Sequence, residues 1–183
     1  LQILGILEEF DLSKDKIKED IHLILEAAKY SYNDRYKYLG DPDFSNIEIN
    51  NFLTKKYLRQ IANQISTNKK KESNIRINDE LFIPTSTTHF SVIDVYGNVA
   101  SITSSIENTF GSRLMTSGFL LNNQLSDFNF KIEGNLFKNN IVEPKKKPLS
   151  SMSPTIIFDK NNNVKMVIGS PGGKSIIMYV VKT

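Results

Sequence analysis

Cysteine is absent, which excludes disulfides and thiolate metal ligands but says nothing about redox compartment. Histidine occurs only twice, as His22 and His89, too few for a histidine-built metal site. No apolar run is long enough to span a bilayer as a helix. Excess charge is small too: the formal net charge is +3, much of it in the runs Lys69–Lys71 and Lys145–Lys147. Neither run has the interleaved aromatics on which nucleic-acid bases stack, so both are expected to be solvated loops and no nucleic-acid partner is expected. The sequence starts Leu-Gln-Ile-Leu-Gly, with neither an initiator Met nor a basic–apolar–small signal pattern. It is therefore expected to be a piece of a longer protein.

What is present suits a globular fold. The 183 residues are 39% hydrophobic, enough for one medium domain with a core. Leu1–Phe10 reads as a helix end, and Ser13 can cap the next helix. Ile17, Ile21, Leu25, Ala28 and Tyr32 recur at helical spacing, with Ile24 beside them, predicting an amphipathic helix to about Tyr36. His22 lies near this face and reads as a packing or surface residue. Leu39-Gly40-Asp41-Pro42-Asp43 is a helix stop and turn. Tyr57, Ile61 and Ile65 mark a third helix, and residues 67–78 are charged, polar and expected to be exposed. From Thr87 the period becomes two, which predicts a strand, then a turn at Tyr96-Gly97-Asn98 and a returning strand from Val99 to Ser105. Phe130–Lys147 has no period and reads as a long loop of the kind that often covers a site. Thr155–Phe158 and Val164–Ile168 predict a second hairpin. Gly169-Ser170-Pro171-Gly172-Gly173 then leads into a helix over Ile176–Val181. Helices first and strand pairs later predict an α+β fold.

Thr87 opens the first strand. A threonine hydroxyl is a poor nucleophile without a base, but at a chain terminus the residue's own α-amine, with a pKa near ~7.7–8.0, can serve. Such a residue must first be exposed by cleavage of the Ser86–Thr87 bond. Taken alone, Thr87-Thr88 is by default just a pair chosen for β-propensity. Gly172-Gly173 before a helix could present two amides to an oxyanion, or be an ordinary turn. Ser150-Ser151 could hold a carboxylate, and Glu107, Gln124 and Asp127 could hold an ammonium group; each is weak by itself.

Together they are specific. Thr-Thr-His-Phe-Ser-Val-Ile-Asp at 87–94, Gly-Phe-Leu-Leu-Asn-Asn-Gln at 118–124 with Asp127-Phe128, Pro-Leu-Ser-Ser-Met-Ser-Pro-Thr at 148–155 and Gly-Ser-Pro-Gly-Gly at 169–173 resemble the γ-glutamyltransferases, or glutathione hydrolases. These belong to the N-terminal-nucleophile hydrolases. Tyr38-Leu39-Gly40-Asp41-Pro42-Asp43-Phe44 fits as well. The resemblance implies a four-layer αββα sandwich, of which this chain carries a portion. It implies self-cleavage before Thr87, with residues 1–86 as the end of a large, mostly helical subunit and 87–183 as the start of a small one. Thr87 would be the nucleophile that becomes glutamylated, and Ser105 stands where the family usually has a threonine touching it. Glu107, Gln124 and Asp127 would bind the substrate α-amine, Ser150 and Ser151 its α-carboxylate, and the Gly172 and Gly173 amides would form the oxyanion hole. Phe130–Lys147 corresponds to a segment that can form a lid.

No cofactor or metal is implied. The expected partners are glutathione or another γ-glutamyl donor, an amino-acid, peptide or water acceptor, and the second cleavage product. The expected location is periplasmic or extracellular. Two departures stand out: Lys174-Ser175 replaces the usual Ser-Arg, and the family's carboxylate-clamping arginine belongs to a region outside this chain. Two rival readings remain open, a glutaryl-specific cephalosporin acylase and an inactive truncated remnant.

Overall fold

The computed structural model describes residues 1–12, 16–67, 85–130 and 138–183, with only the backbone of Thr85 and Ser86. The Ser13 cap, the Lys69–Lys71 run, the stretch 68–78 and residues 131–137 of the long loop lie outside the described residues. The chain forms two compact units. One comprises Leu1–Asn78 with Phe128–Leu149, the other Asp79–Asp127 with Ser150–Thr183.

The first unit is helical. Helices α1 (Gln2–Leu7), α2 (Ile17–Tyr38) and α3 (Lys55–Ala62) bury Ile3, Ile6, Leu7, Leu23, Ala27, Ala28, Leu58, Ile61 and Ala62, with Ile65 just beyond α3. Fully burying one large aliphatic side chain stabilises by about 1.5–3 kcal/mol, so this cluster carries the unit. Gly5 lets α1 approach α3 closely, since a Cβ there would lie 2.7 Å from Leu58 Cδ1. Thr54 caps α3 by accepting the Tyr57 N–H. Of the apolar positions that recur at helical spacing along α2, Ala28 is buried and Tyr32 half-buried, but the N-terminal ones are not. Ile17, Ile21 and Leu25 are at least half exposed, whereas Leu23, Glu26, Ala27, Ala28, Ser31 and Asp34 are buried. The physical reason is pairing. Glu26 meets Lys29, and Asp34 accepts from Gln2 Nε2 at 2.7 Å and from the Tyr57 hydroxyl at 2.8 Å. Buried polar groups with partners outweigh a simple count of apolar positions. Burial, reinforced by that Asp34 bond, pushes the Tyr57 hydroxyl far above its ordinary pKa. His22 Nε2 donates to the Ser66 carbonyl oxygen at 2.8 Å, as a packing or surface residue would.

The second unit holds the strands. The hairpin β1 (Thr85–Ile93) and β2 (Val99–Asn108) is followed by the short pair β3 (Met115–Thr116) and β4 (Phe119–Leu120). A second hairpin, β5 (Thr155–Phe158) and β6 (Val164–Ile168), precedes α4 (Ile176–Lys182). All three pairs are antiparallel. The two hairpins share one turn design. Asp94 Oδ1 accepts the Tyr96 and Asn98 N–H groups at 2.8 Å each, and Asp159 Oδ1 accepts those of Asn161 and Asn163 at 2.8 and 2.9 Å. In each, the asparagine four residues on donates its side-chain amide back to the aspartate. Gly97 (φ +84°) and Asn162 (φ +63°) take the left-handed position that closes the turn.

Candidate active site

Strand alternation sorts β1 and β2 into two faces. Thr87, His89, Ser91 and Ile93 oppose Ser105, Thr103, Ser101 and Val99 on one. Thr88, Phe90 and Val92 oppose Ser104, Ile102 and Ala100 on the other. The first face is polar and hydrogen-bonded. Thr87 Oγ1 donates to Ser105 Oγ at 3.2 Å. His89 Nδ1 lies 2.8 Å from Thr103 Oγ1 and Nε2 lies 3.0 Å from Ser91 Oγ.

The ladder breaks next to Thr87. Thr85 pairs with Asn108 but Thr87 with Ser105, so β2 has one more residue in this interval than β1. Such a bulge re-aims a side chain at the cost of local pairing. Glu107 sits in it with φ +73°, a conformation unfavourable for a residue with a Cβ. Its N–H finds a partner in Ser105 Oγ at 2.9 Å. Ser105 therefore accepts from both the Thr87 hydroxyl and the Glu107 backbone, which ties the bulge to the hydroxyl.

The bulge also aims Glu107 at the loop after β4. Asn123 fixes that loop to β2, its side chain accepting the Asn108 N–H at 2.9 Å and its own N–H donating to Ile106 O at 3.2 Å. Gln124 Nε2 then donates to Glu107 Oε2 at 3.3 Å and also to Asp127 Oδ2. Two carboxylates thus share one amide. Burial and the Asp127 charge push the Glu107 carboxyl above its ordinary pKa, while the Gln124 bond and the Lys174 charge pull the other way. An ammonium group placed here would relieve the repulsion between the two carboxylates.

Gly172 (φ +129°) and Gly173 (φ +54°) follow β6, in a turn that only glycine adopts freely. A Cβ on Gly172 would lie 2.6 Å from Tyr179 Cε2. Among the described residues neither glycine N–H has an acceptor, the condition an anion-binding pair requires. The turn starts against β1: a Cβ on Gly169 would lie 2.2 Å from His89 Cε1, and Ser101 Oγ donates to Ile168 O at 3.2 Å. Ser150 is exposed and accepts the Met152 N–H at 3.1 Å, and Ser151 is half-buried beside it.

The structure thus joins Thr87, Ser105, Glu107, Gln124 and Asp127 in one hydrogen-bonded chain. The Lys174 charge, one residue past Gly173, is felt at Glu107. Sequence reasoning missed His89, Thr103 and Ser101 as supports of this face, and Lys174 as a charge acting on the acidic cluster. The period-two spacing of His89 from Thr87 was the available signal. Among the described residues no three His, Asp or Glu side chains gather in a way that could hold a metal ion.

Residues 1–183 match the family Gamma-glutamyltranspeptidase. All of the chain aligns with the glutathione hydrolase proenzyme of Escherichia coli (strain K12), 41% identical over 198 residues and covering 33% of that relative. All of it also aligns with the glutathione hydrolase proenzyme of Bacillus subtilis subsp. natto, 38% identical and covering 34%. The chain therefore spans about a third of the length of the curated relatives it matches. A solved cephalosporin acylase from Bacillus halodurans superposes with a TM-score of 0.59 over 80% of this chain and 25% of that one, at 19% identity. The fold is thus the α+β fold of N-terminal-nucleophile hydrolases, of which this chain covers part.

Proposed function

Since the chain belongs to the gamma-glutamyltranspeptidase family, we propose that it carries the nucleophile and the amine-binding group of a γ-glutamyl-transferring hydrolase, released by self-cleavage at Thr87. In the first reaction the Thr87 hydroxyl attacks the Ser86 carbonyl. The amide C–N bond breaks, an ester C–O bond forms, and the hydroxyl proton passes to the nitrogen. Water opens the ester, leaving a Ser86 carboxylate and a Thr87 α-amine that can act as a base. In the second reaction Thr87 Oγ1 attacks the γ-amide carbonyl of glutathione or a similar donor. The amine leaves with the proton, and water, an amino acid or a peptide takes the glutamyl group from the ester. The Gly172 and Gly173 amides would stabilise the oxyanion, and Ser150 and Ser151 would hold the α-carboxylate. The family also points to a periplasmic or extracellular place of action.

One observation carries this reading. The Thr87 hydroxyl bonds to Ser105, Ser105 holds Glu107, and Glu107 shares Gln124 with Asp127. The nucleophile is thus built into the same bonded network as an acidic pair that suits an ammonium group. A glutaryl donor has no α-amine, so it would leave that pair uncompensated. The test is the denatured intact mass of the purified protein with N-terminal sequencing. Two pieces, one beginning Thr-Thr-His, and a single piece for Thr87→Ala, are expected. An uncut wild-type chain, or a Thr87→Ala chain cut at the same bond, would overturn self-cleavage by Thr87. Faster hydrolysis of a glutaryl anilide than of a γ-glutamyl anilide would overturn the substrate class.

A further inference from the structure

The helical unit is made of both prospective cleavage products, because it takes Phe128–Leu149 as well as the helices. The join lies at the turn after α2. Asn139 Nδ2 donates to Tyr38 O at 2.7 Å. Gly40 admits the Asn139 backbone so closely that a Cβ would stand 2.2 Å from Asn139 O. Asp41 is 3% exposed and accepts two backbone N–H groups, that of Lys147 at 2.7 Å and that of Asp43 at 3.1 Å. The Lys147 ammonium reaches Asp43 at 3.0 Å, and Lys146 lies over the Phe44 ring at 5.5 Å while pairing with Glu143 at 2.6 Å. A buried carboxylate capping its own turn with one oxygen and gripping a distant backbone with the other is a specific, directional joint.

We propose that the turn Leu39–Phe44 is the clasp that holds the two cleavage products together, with residues 139–147 of the second product as its occupant. This rests on the reading that the chain is cut before Thr87. The acceptors are Tyr38 O at the end of α2 and the Asp41 carboxylate in the turn, and the second product supplies the donors. Gly40 supplies the clearance. The Lys147 side chain is 71% exposed and contributes little, because exposed ion pairs are screened.

The experiment uses the full chain with a site-specific protease sequence inserted between Asn78 and Asp79, so that two pieces are obtained whether or not the chain cuts itself. The intact mass of the unaltered chain reports self-cleavage separately. After cutting, the pieces are diluted and their co-elution followed by size exclusion. Wild-type pieces are expected to stay together. Asp41→Ala and Gly40→Ala are expected to raise the dissociation midpoint roughly tenfold or more, as for loss of a charged hydrogen bond or a forced gap. Lys147→Ala is expected to shift it less than about threefold. Asn139→Ala, which removes one side-chain donor, covers the case in which the turn variants do not fold, and is expected to fall between these limits. Asp41→Ala or Asn139→Ala pieces that co-elute like wild type would overturn the clasp. So would a Lys147→Ala effect as large as that of Asp41→Ala.

Discussion

Ser105→Ala removes one oxygen that serves two donors. The Thr87 hydroxyl, 3.2 Å away, loses the acceptor that orients it, and the Glu107 N–H loses its partner at 2.9 Å. Each neutral hydrogen bond is worth about 0.5–1.5 kcal/mol net, and Ser105 is only half-buried, so the stability loss should be about 1–2 kcal/mol. For a chain of this size that lowers Tm by roughly 2–8 °C. The kinetic loss is separate. If alignment of the Thr87 hydroxyl lowers the cleavage barrier by about 1.4 kcal/mol, the rate falls about tenfold without it. Ser105→Thr keeps the oxygen and should cleave within about threefold of wild type. The assay is the mass-resolved fraction of cut chain over time at a temperature well below every Tm. A Ser105→Ala chain that melts lower yet cleaves at the wild-type rate would refute the argument, because Ser105 would then be a structural support that leaves the nucleophile unaffected.

Gly172→Ala places a Cβ 2.6 Å from Tyr179 Cε2 at a φ of +129°, so it should lower stability by about 1–3 kcal/mol, read in a thermal melt. Tyr179→Ala added to it should recover only the steric part, since the φ penalty remains. Asp94 and Asp159 are held below the usual carboxylate range, Asp94 chiefly by the Asn98 side chain and Asp159 chiefly by the Asn163 N–H. A depressed folded pKa gives stability that is present above the unfolded value of 3.8 and is lost as pH falls through the folded value. Wild type should therefore lose Tm on acidification in that window, and the double variant Asp94→Asn/Asp159→Asn should lose less; equal losses would count against the turns. Glu107 shows the opposite sign, raised above 4.5 first by burial and then by Asp127. Its ionisation opposes folding as pH rises through the folded value, whereas the proposed binding of an ammonium-bearing donor would need it charged. Glu107→Gln should raise KM for a γ-glutamyl anilide roughly tenfold or more and leave Tm at neutral pH unchanged or higher.

The elements with a clean period were legible from sequence: β1, β2, β5, β6 and α2 stand where alternation and helical spacing put them, and α3 does so as far as Ala62, with Ile65 beyond its end. The pair β3 and β4 was not, because two-residue strands carry no period. The buried polar positions of α2 were not legible in full: Lys29 lies three residues from Glu26 and follows from helical spacing, but Gln2 and Tyr57, the partners that let Asp34 enter the interior, are distant in sequence. For the site, motif order located the residues but not their linkage. That linkage depends on an irregularity in the ladder and on a glutamate at positive φ, neither of which leaves a mark in the sequence pattern.

The two shortest hydrogen bonds between the Tyr38–Phe44 stretch and residues 139–147 join residues 101 and 106 positions apart. While the chain is continuous, both partners arrive on one polymer and the loop between them sets a fixed, concentration-independent closing entropy. If the backbone is cut before Thr87 as proposed, the same contacts form only by a bimolecular encounter. Unfolding then discards the tether that made assembly possible, and recovery becomes dependent on protein concentration. The mature molecule should accordingly survive as long as its unfolding rate permits, with heat inactivation running one way and measured as a half-life instead of an equilibrium.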